Sequence, residues 1–259
     1  MTGVRVAQPV LAGAEGCRKG WVAVIRRNGR DEGPSVFETF AGLLAALGDE
    51  FILAVDMPIG LPDRAGHGGR GPEKLVRARL RQRQSAVFSV PSRAAVEAES
   101  PEGLSWDEAL AAHRRASRVA RETSDPPRGV SIQCFFLFPK IREIDTILQT
   151  HQEFRACVIE SHPEVAFWHL NGGCEMAQPK KVKGWVNPAG MAERRALLER
   201  CGVDRRVLDA PPPPGAGEDD CLDAAACLLV AERHAMGIAV PYPDPPERDR
   251  HGIAVAIWA

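Results

Sequence analysis

Six acidic residues stand where they could do chemistry. Glu15, Asp56 and Glu160 each close an apolar run, and Asp219, Asp220 and Asp223 open an alanine- and leucine-rich segment near the C-terminus. If the apolar runs are neighbouring strands, their ends share one sheet edge, and the start of the last helix can bring Asp220 and Asp223 across it. Asp220 and Asp223 are three apart and so lie on one helix face. Carboxylates gathered this way repel one another and are pushed toward protonation. A hard divalent cation removes that cost, and oxygen-only donors suit Mg²⁺ or Mn²⁺. Two such ions about 4 Å apart activate a water and stabilise the leaving oxygen in phosphodiester cleavage. Glu15, Asp56, Asp220 and Asp223 are therefore the expected metal ligands. Asp56 also lies at the reaction centre, and Glu160 is a further acid. His162, two residues after Glu160, has the chemistry to orient a water or act as general acid. Taken singly, each residue has a plainer reading. Asp56 can cap the turn behind it, the helix-start acids can answer the helix dipole, and His162 can cap the helix that begins at Pro163.

The elements that must position these acids follow from periodicity. PVLAGAE (9–15) and WVAVIRR (21–27) read as strands around a GCRKG turn, RNGRDEGPS as a loop and SVFETF (35–40) as a third strand. AGLLAALG (41–48) reads as a short helix closed by Gly48. The fourth strand, 51–56, runs through Ile52, Leu53, Ala54 and Val55 to Asp56, and Pro58, Gly60 and Pro62 follow it. ACVIE (156–160) is a fifth strand, and GIAVAIW (252–258) reads as a last one. Helices are expected at 72–84, 106–122, 163–170, 191–201 and, with the clearest signals, 218–237. PPPPGAG (211–217) is a stiff linker before that last helix. The fold class expected is α/β: one domain over 1–259, a five-stranded mixed sheet flanked by helices, and a basic helical insertion at about 63–150.

The formal net charge of −1 over 259 residues announces no polyanion partner, so charge is read locally. From Arg64 to Arg93 eight cations face only Glu73, and Arg114, Arg115, Arg118, Arg121 and Arg128 follow. Such stretches make the phosphate contacts that dominate nucleic-acid affinity, although a solvated helix face looks the same in sequence. Nucleic acid is the expected partner, with Arg18, Arg93, Lys140, Lys180 and Lys181 as its expected contacts. Aromatic stacking platforms are not evident in the pattern. Seven scattered cysteines without a CxxC pair point to a reduced, cytoplasmic compartment and away from zinc. No apolar run reaches the length of a membrane span, and Gln8 and Pro9 interrupt the apolar N-terminal segment, which argues against a leader. Gly66, Gly68 and Gly71 spell G-x-G-x-x-G, but a proline-rich turn separates them from their strand, so a flexible loop is the simpler reading. A P-loop and a G-x-S-x-G elbow are both missing.

G-x-[DE]-G-C-R-x-G-W (13–21), V-D-x-P-I-G-L-P (55–62), V-F-x-x-P-S-R (87–93), P-K-I-x-E-x-D (139–145), E-x-H-P-E (160–164) and D-D-x-L-D-A (219–224) occur in this order. Together they resemble the DUF429 family, whose members are described as predicted nucleases with a ribonuclease-H-like fold. The resemblance implies acids at the ends of the first and fourth strands and on the last helix, which are the places of Glu15, Asp56 and Asp220 or Asp223. The D-x-x-D helix start also resembles the Holliday-junction resolvase branch. Where the family pattern usually has Asp, this chain has Glu15, whose carboxylate lies about one bond further out. The function expected is metal-dependent phosphodiester hydrolysis on a nucleic acid. The rivals are an ATP-handling enzyme of the actin-like or sugar-kinase sheet type, and a non-catalytic nucleic-acid- or protein-binding member.

Overall fold

The computed structural model describes residues 8–259. The reading of the N-terminal segment falls partly on residues 1–7, outside the described residues. The chain divides into two compact units: Met1–Asp56 with Met176–Ala239, and Met57–Glu175 with Val240–Ala259.

The first unit opens with β1 (Val10–Cys17), β2 (Gly20–Arg27) and β3 (Arg30–Phe37), an antiparallel meander. Asn28 and Gly29, both at positive φ, make the two-residue turn that joins β2 to β3. This Asn-Gly pair is a strong hairpin signal. It makes the expected loop over 27–35 largely strand, because Arg30, Asp31 and Glu32 pair with β2 despite their charge. Helix α1 (Phe40–Leu47), capped by the Thr39 hydroxyl, leads into β4 (Phe51–Asp56). β4 runs parallel to β1 and pairs with it from Val10↔Phe51 to Glu15↔Asp56.

The second unit begins with a two-residue strand, β5 (Ala65–Gly66). Then follow α2 (Gly71–Arg79), α3 (Arg93–Ala98), α4 (Trp106–Glu122), a second short strand β6 (Ser124–Asp125) and α5 (Ile132–Thr150). The stretch expected as a helical insertion is mostly helical. The expected helix over 72–84 becomes α2 followed by a 3₁₀ turn. α5 is a helix the sequence pattern hid, because Pro139 sits inside it. Proline forfeits one helical hydrogen bond there, and the buried Phe135, Phe138, Ile141 and Ile144 supply the packing that offsets it. β7 (Val158–Ser161) and α6 (Pro163–Leu170) close this passage.

Back in the first unit, β8 (Lys181–Val182) and β9 (Trp185–Val186) form a small antiparallel ribbon. Helices α7 (Pro188–Arg200), α8 (Arg205–Leu208) and α9 (Glu218–Ala235) follow. α9 packs on β1, β2 and β4. At Gly13 the two elements touch backbone to backbone: a Cβ there would fall inside the main chain of Ala224, Cys227 and Leu228. That contact seats the first turns of α9 above β1.

The chain ends in the second unit with β10 (Pro241–Arg248) and β11 (Ala254–Trp258). β11 is parallel to β7 and antiparallel to β10. β10 carries three internal prolines as an outermost strand, where missing N–H donors are tolerated. The architecture is mixed α/β. Setting the short ribbons aside, the strands among the described residues number seven in place of the expected five, four in the first unit and three in the second. β3 begins five residues earlier than expected, and β10 was not expected at all.

Candidate active site

Three of the expected acids meet in the first unit. Glu15 and Asp56 are register partners on adjacent parallel strands, so their side chains leave the same face of the sheet. Glu15 is held well above the ordinary carboxylate range, first by burial, then by the neighbouring charge and hydrogen bond of Asp56, then by Asp223. Glu15 therefore keeps a proton more tightly than a solvated glutamate does. Asp223, on the second turn of α9, is 3 % exposed. It accepts a hydrogen bond from the Lys180 ammonium just ahead of the β8–β9 ribbon.

Lys180 is the centre of charge in the cluster. Its Nζ also lies 3.6 Å from Asp219. Burial alone would lower its pKa. Asp223, then Glu15 and Asp219, outweigh burial and hold the ammonium well above its ordinary value. Lys181 donates to Asp219 at 2.7 Å. Burial would raise Asp219, but the two lysines keep it below the ordinary range.

Asp220 has a different job. Its Oδ2 accepts from the Gly217 N–H at 2.8 Å, which caps α9. Burial raises it, and the Gly217 bond offsets part of that. The face of α9 turned to the lysines is thus Asp219 and Asp223, four apart, where Asp220 and Asp223 were expected. Sequence reasoning passed over Asp219 because the spacings i,i+3 and i,i+4 both fit a helix face. The lysine that faces the acids could have decided between them, but nothing local ties Lys180 to α9.

The other expected residues lie elsewhere. Glu160 belongs to the second unit and is buried. Its Oε1 accepts from Arg70 at 2.6 Å and its Oε2 from the Ile59 N–H at 2.7 Å. Arg70 also donates to the carbonyls of Ile59 and Gly60 and to Glu73. This network locks the proline-rich turn that follows Asp56 in the chain. His162 stands half-buried just ahead of α6, its Nε2 3.5 Å from the Ala86 carbonyl.

Arg93, expected at the substrate, is 1 % exposed. It is spent on Asp145 and, at 2.8 Å, on Asp249. This pairing joins two of the motifs quoted above, 87–93 and 139–145, inside the second unit. Lys140 lies half-buried on α5. Arg18 is exposed in the β1–β2 turn, where its N–H donates to the Gly215 carbonyl at 3.0 Å and pins the linker ahead of α9.

The donor chemistry at Glu15, Asp56 and Asp223 fits a hard divalent cation: oxygen only, partly desolvated, and burdened with like charge. The fit is partial as the site stands. Lys180 holds Asp223, Asp220 is spent on its cap, and among the described residues no group of three or more acids, histidines or cysteines is in metal-ligating geometry. All seven cysteines are free, and among the described residues no helix is long and apolar enough to cross a membrane.

No curated protein and no solved structure matches the chain. One family model does, over residues 13–248, described as protein of unknown function (DUF429). That span takes in the strand-end acids, the buried Arg93–Asp145 pair and the acidic start of α9, and the chain belongs to the DUF429 family.

Proposed function

We propose that this protein is a metal-dependent phosphodiester hydrolase acting on nucleic acid, built on a ribonuclease-H-like arrangement. The observation that carries the reading is the register pairing of Glu15 with Asp56, with Asp223 and Lys180 in the same electrostatic neighbourhood. A three-stranded meander, a fourth strand parallel to the first, and a late helix whose acids meet those strand ends support the fold analogy. Fold alone does not carry an activity; the side chains at the strand ends do.

Glu15, Asp56 and Asp223 would hold Mg²⁺ or Mn²⁺. The ion would supply an activated water and charge neutralisation at the leaving oxygen. Glu15 would have to lose its proton to serve as a ligand, so metal uptake would be coupled to proton release. Lys180, freed from Asp223, offers a protonated donor to a non-bridging phosphate oxygen.

The test is a cleavage panel over single-stranded, duplex and branched nucleic acids with Mn²⁺, comparing the wild type with Asp56→Asn and Glu15→Asp. Cleavage should vanish in Asp56→Asn and survive or rise in Glu15→Asp. Undiminished cleavage by Asp56→Asn removes that residue from the mechanism. The Lys180–Asp223 ion pair favours one rival, a member that binds nucleic acid without cutting it. Salt-sensitive binding without cleavage anywhere on the panel would select that rival.

A further inference from the structure

The β8–β9 ribbon is the most exposed regular element of the first unit. Lys183 (φ 50°) and Gly184 (φ 83°) turn it, and Val182 pairs with Trp185 across it. Trp185 is 81 % exposed, Val182 49 % and Val186 39 %. The Lys181 side chain is 48 % exposed beside them, and Lys183 is exposed at the tip. The root of the ribbon is fixed. The Asn187 N–H donates to the Lys180 carbonyl at 2.9 Å, and Lys180 and Lys181 are tied to Asp223 and Asp219 on α9.

A tryptophan this exposed gains nothing for the fold, because its indole meets solvent and no core. One indole and two valines offer far less than the roughly 800 Å² per partner of a stable protein interface. The charge on the ribbon is entirely positive. An exposed indole with ammonium groups within one turn is what a stacked base and its phosphates require. A base inside a duplex is already stacked on both faces, so its ring is free for an indole only in a single strand.

We propose that residues 181–186 dock single-stranded nucleic acid, a base stacking on Trp185 while Lys183 meets its phosphate. This rests on the reading of nucleic acid as the substrate and narrows it to the single-stranded form. The lysine pairs at the root place the docking element directly beside Asp219 and Asp223.

The experiment uses the full chain, a fluorescein-labelled single strand of mixed sequence and the matching duplex. Anisotropy is read in chelator, so that cleavage does not enter, at several salt concentrations. The wild type should bind the single strand more tightly than the duplex, with affinity falling as salt rises. Trp185→Ala should weaken single-strand binding about tenfold, within the range of one lost base stack. It should leave duplex binding and the melting temperature unchanged, because the side chain is exposed. Trp185→Phe should recover most of the loss. Lys183→Ala should lower the salt slope by about 0.7, the value for one phosphate contact on a single strand. Unchanged single-strand affinity in Trp185→Ala, an equal loss for the duplex, or no single-strand binding by the wild type overturns the proposal. Trp185-dependent binding without Mn²⁺-dependent cleavage sinks the hydrolase reading alone. Cleavage of single strands with KM unmoved by Trp185→Ala sinks this one alone.

Discussion

Glu15 and Asp56 sit directly opposite each other on two parallel strands, the last register pair of β1 with β4. Two buried carboxylates so placed do not both ionise cheaply, and Glu15 answers by keeping a proton beside Asp56. The stability that this proton lends is present at low pH and is lost as pH rises through the raised pKa of Glu15. Asp56→Asn removes the neighbouring charge, so the variant should lose less stability than the wild type as pH rises, and it should lose any stabilisation by Mn²⁺. Thermal unfolding of both proteins across pH, with chelator and with Mn²⁺, measures both effects. Equal pH dependence in the two proteins would mean that Asp56 does not hold the Glu15 proton in place.

Lys180→Met removes the ammonium that Asp223 accepts from. Breaking a buried pair costs about 3–5 kcal/mol. The Lys180 side chain is 25 % exposed, so a loss of about 1–3 kcal/mol is expected. Mn²⁺ should restore more stability to this variant than to the wild type, since Asp223 is then open to the ion. Lys180→Arg should resemble the wild type in both respects. Titration calorimetry with Mn²⁺ adds an independent reading, and weaker binding by Lys180→Met would show that the lysine supports the ion rather than competes with it.

Gly13→Ala should be severe. The added methyl meets the main chain of α9 at Ala224, Cys227 and Leu228, where no side chain can move aside. Overpacking of this kind costs typically 1–3 kcal/mol and more where backbone must shift. A loss of at least about 3 kcal/mol in urea unfolding is expected. Metal response should fall as well, because α9 carries Asp223 and the shift lifts it from β1. A mild effect would mean that α9 slides over the sheet without penalty.

The sequence made the site legible to different depths. Strand ends were readable because apolar runs stop at Glu15 and Asp56, and α9 because its acids, alanine face and late cations agree. The role of Asp220 was not readable, since a capping acid and a ligand look identical in sequence. β10 and α5 were hidden by proline, which signals a break unless tertiary packing overrides it. Arg93 looked like a phosphate contact because its partners Asp145 and Asp249 are 52 and 156 residues away. Trp185 was passed over because exposure is a property of the fold and not of the sequence pattern.

The buried pair of Glu160 with Arg70 sets a pH dependence that belongs to the second unit alone. Burial pushes Glu160 from its ordinary value of 4.5 up to about 7, against the pull of Arg70 and the Ile59 N–H and with a further push from Glu73. The native state then binds this proton more tightly than the unfolded chain does. The stability contributed by protonation is complete below about pH 4.5 and is lost as pH rises through about 7. Glu160→Gln cannot titrate and mimics the protonated acid. It also sets an amide against the donors of Arg70 and Ile59, so at low pH it should be somewhat less stable than the wild type. Between pH 4.5 and pH 8 the wild type should lose on the order of 1 kcal/mol or more relative to Glu160→Gln. Urea unfolding across that range measures the difference. Parallel curves would mean that Arg70 and the Ile59 N–H hold Glu160 ionised throughout, as two N–H donors on two oxygens favour, and that burial does not prevail.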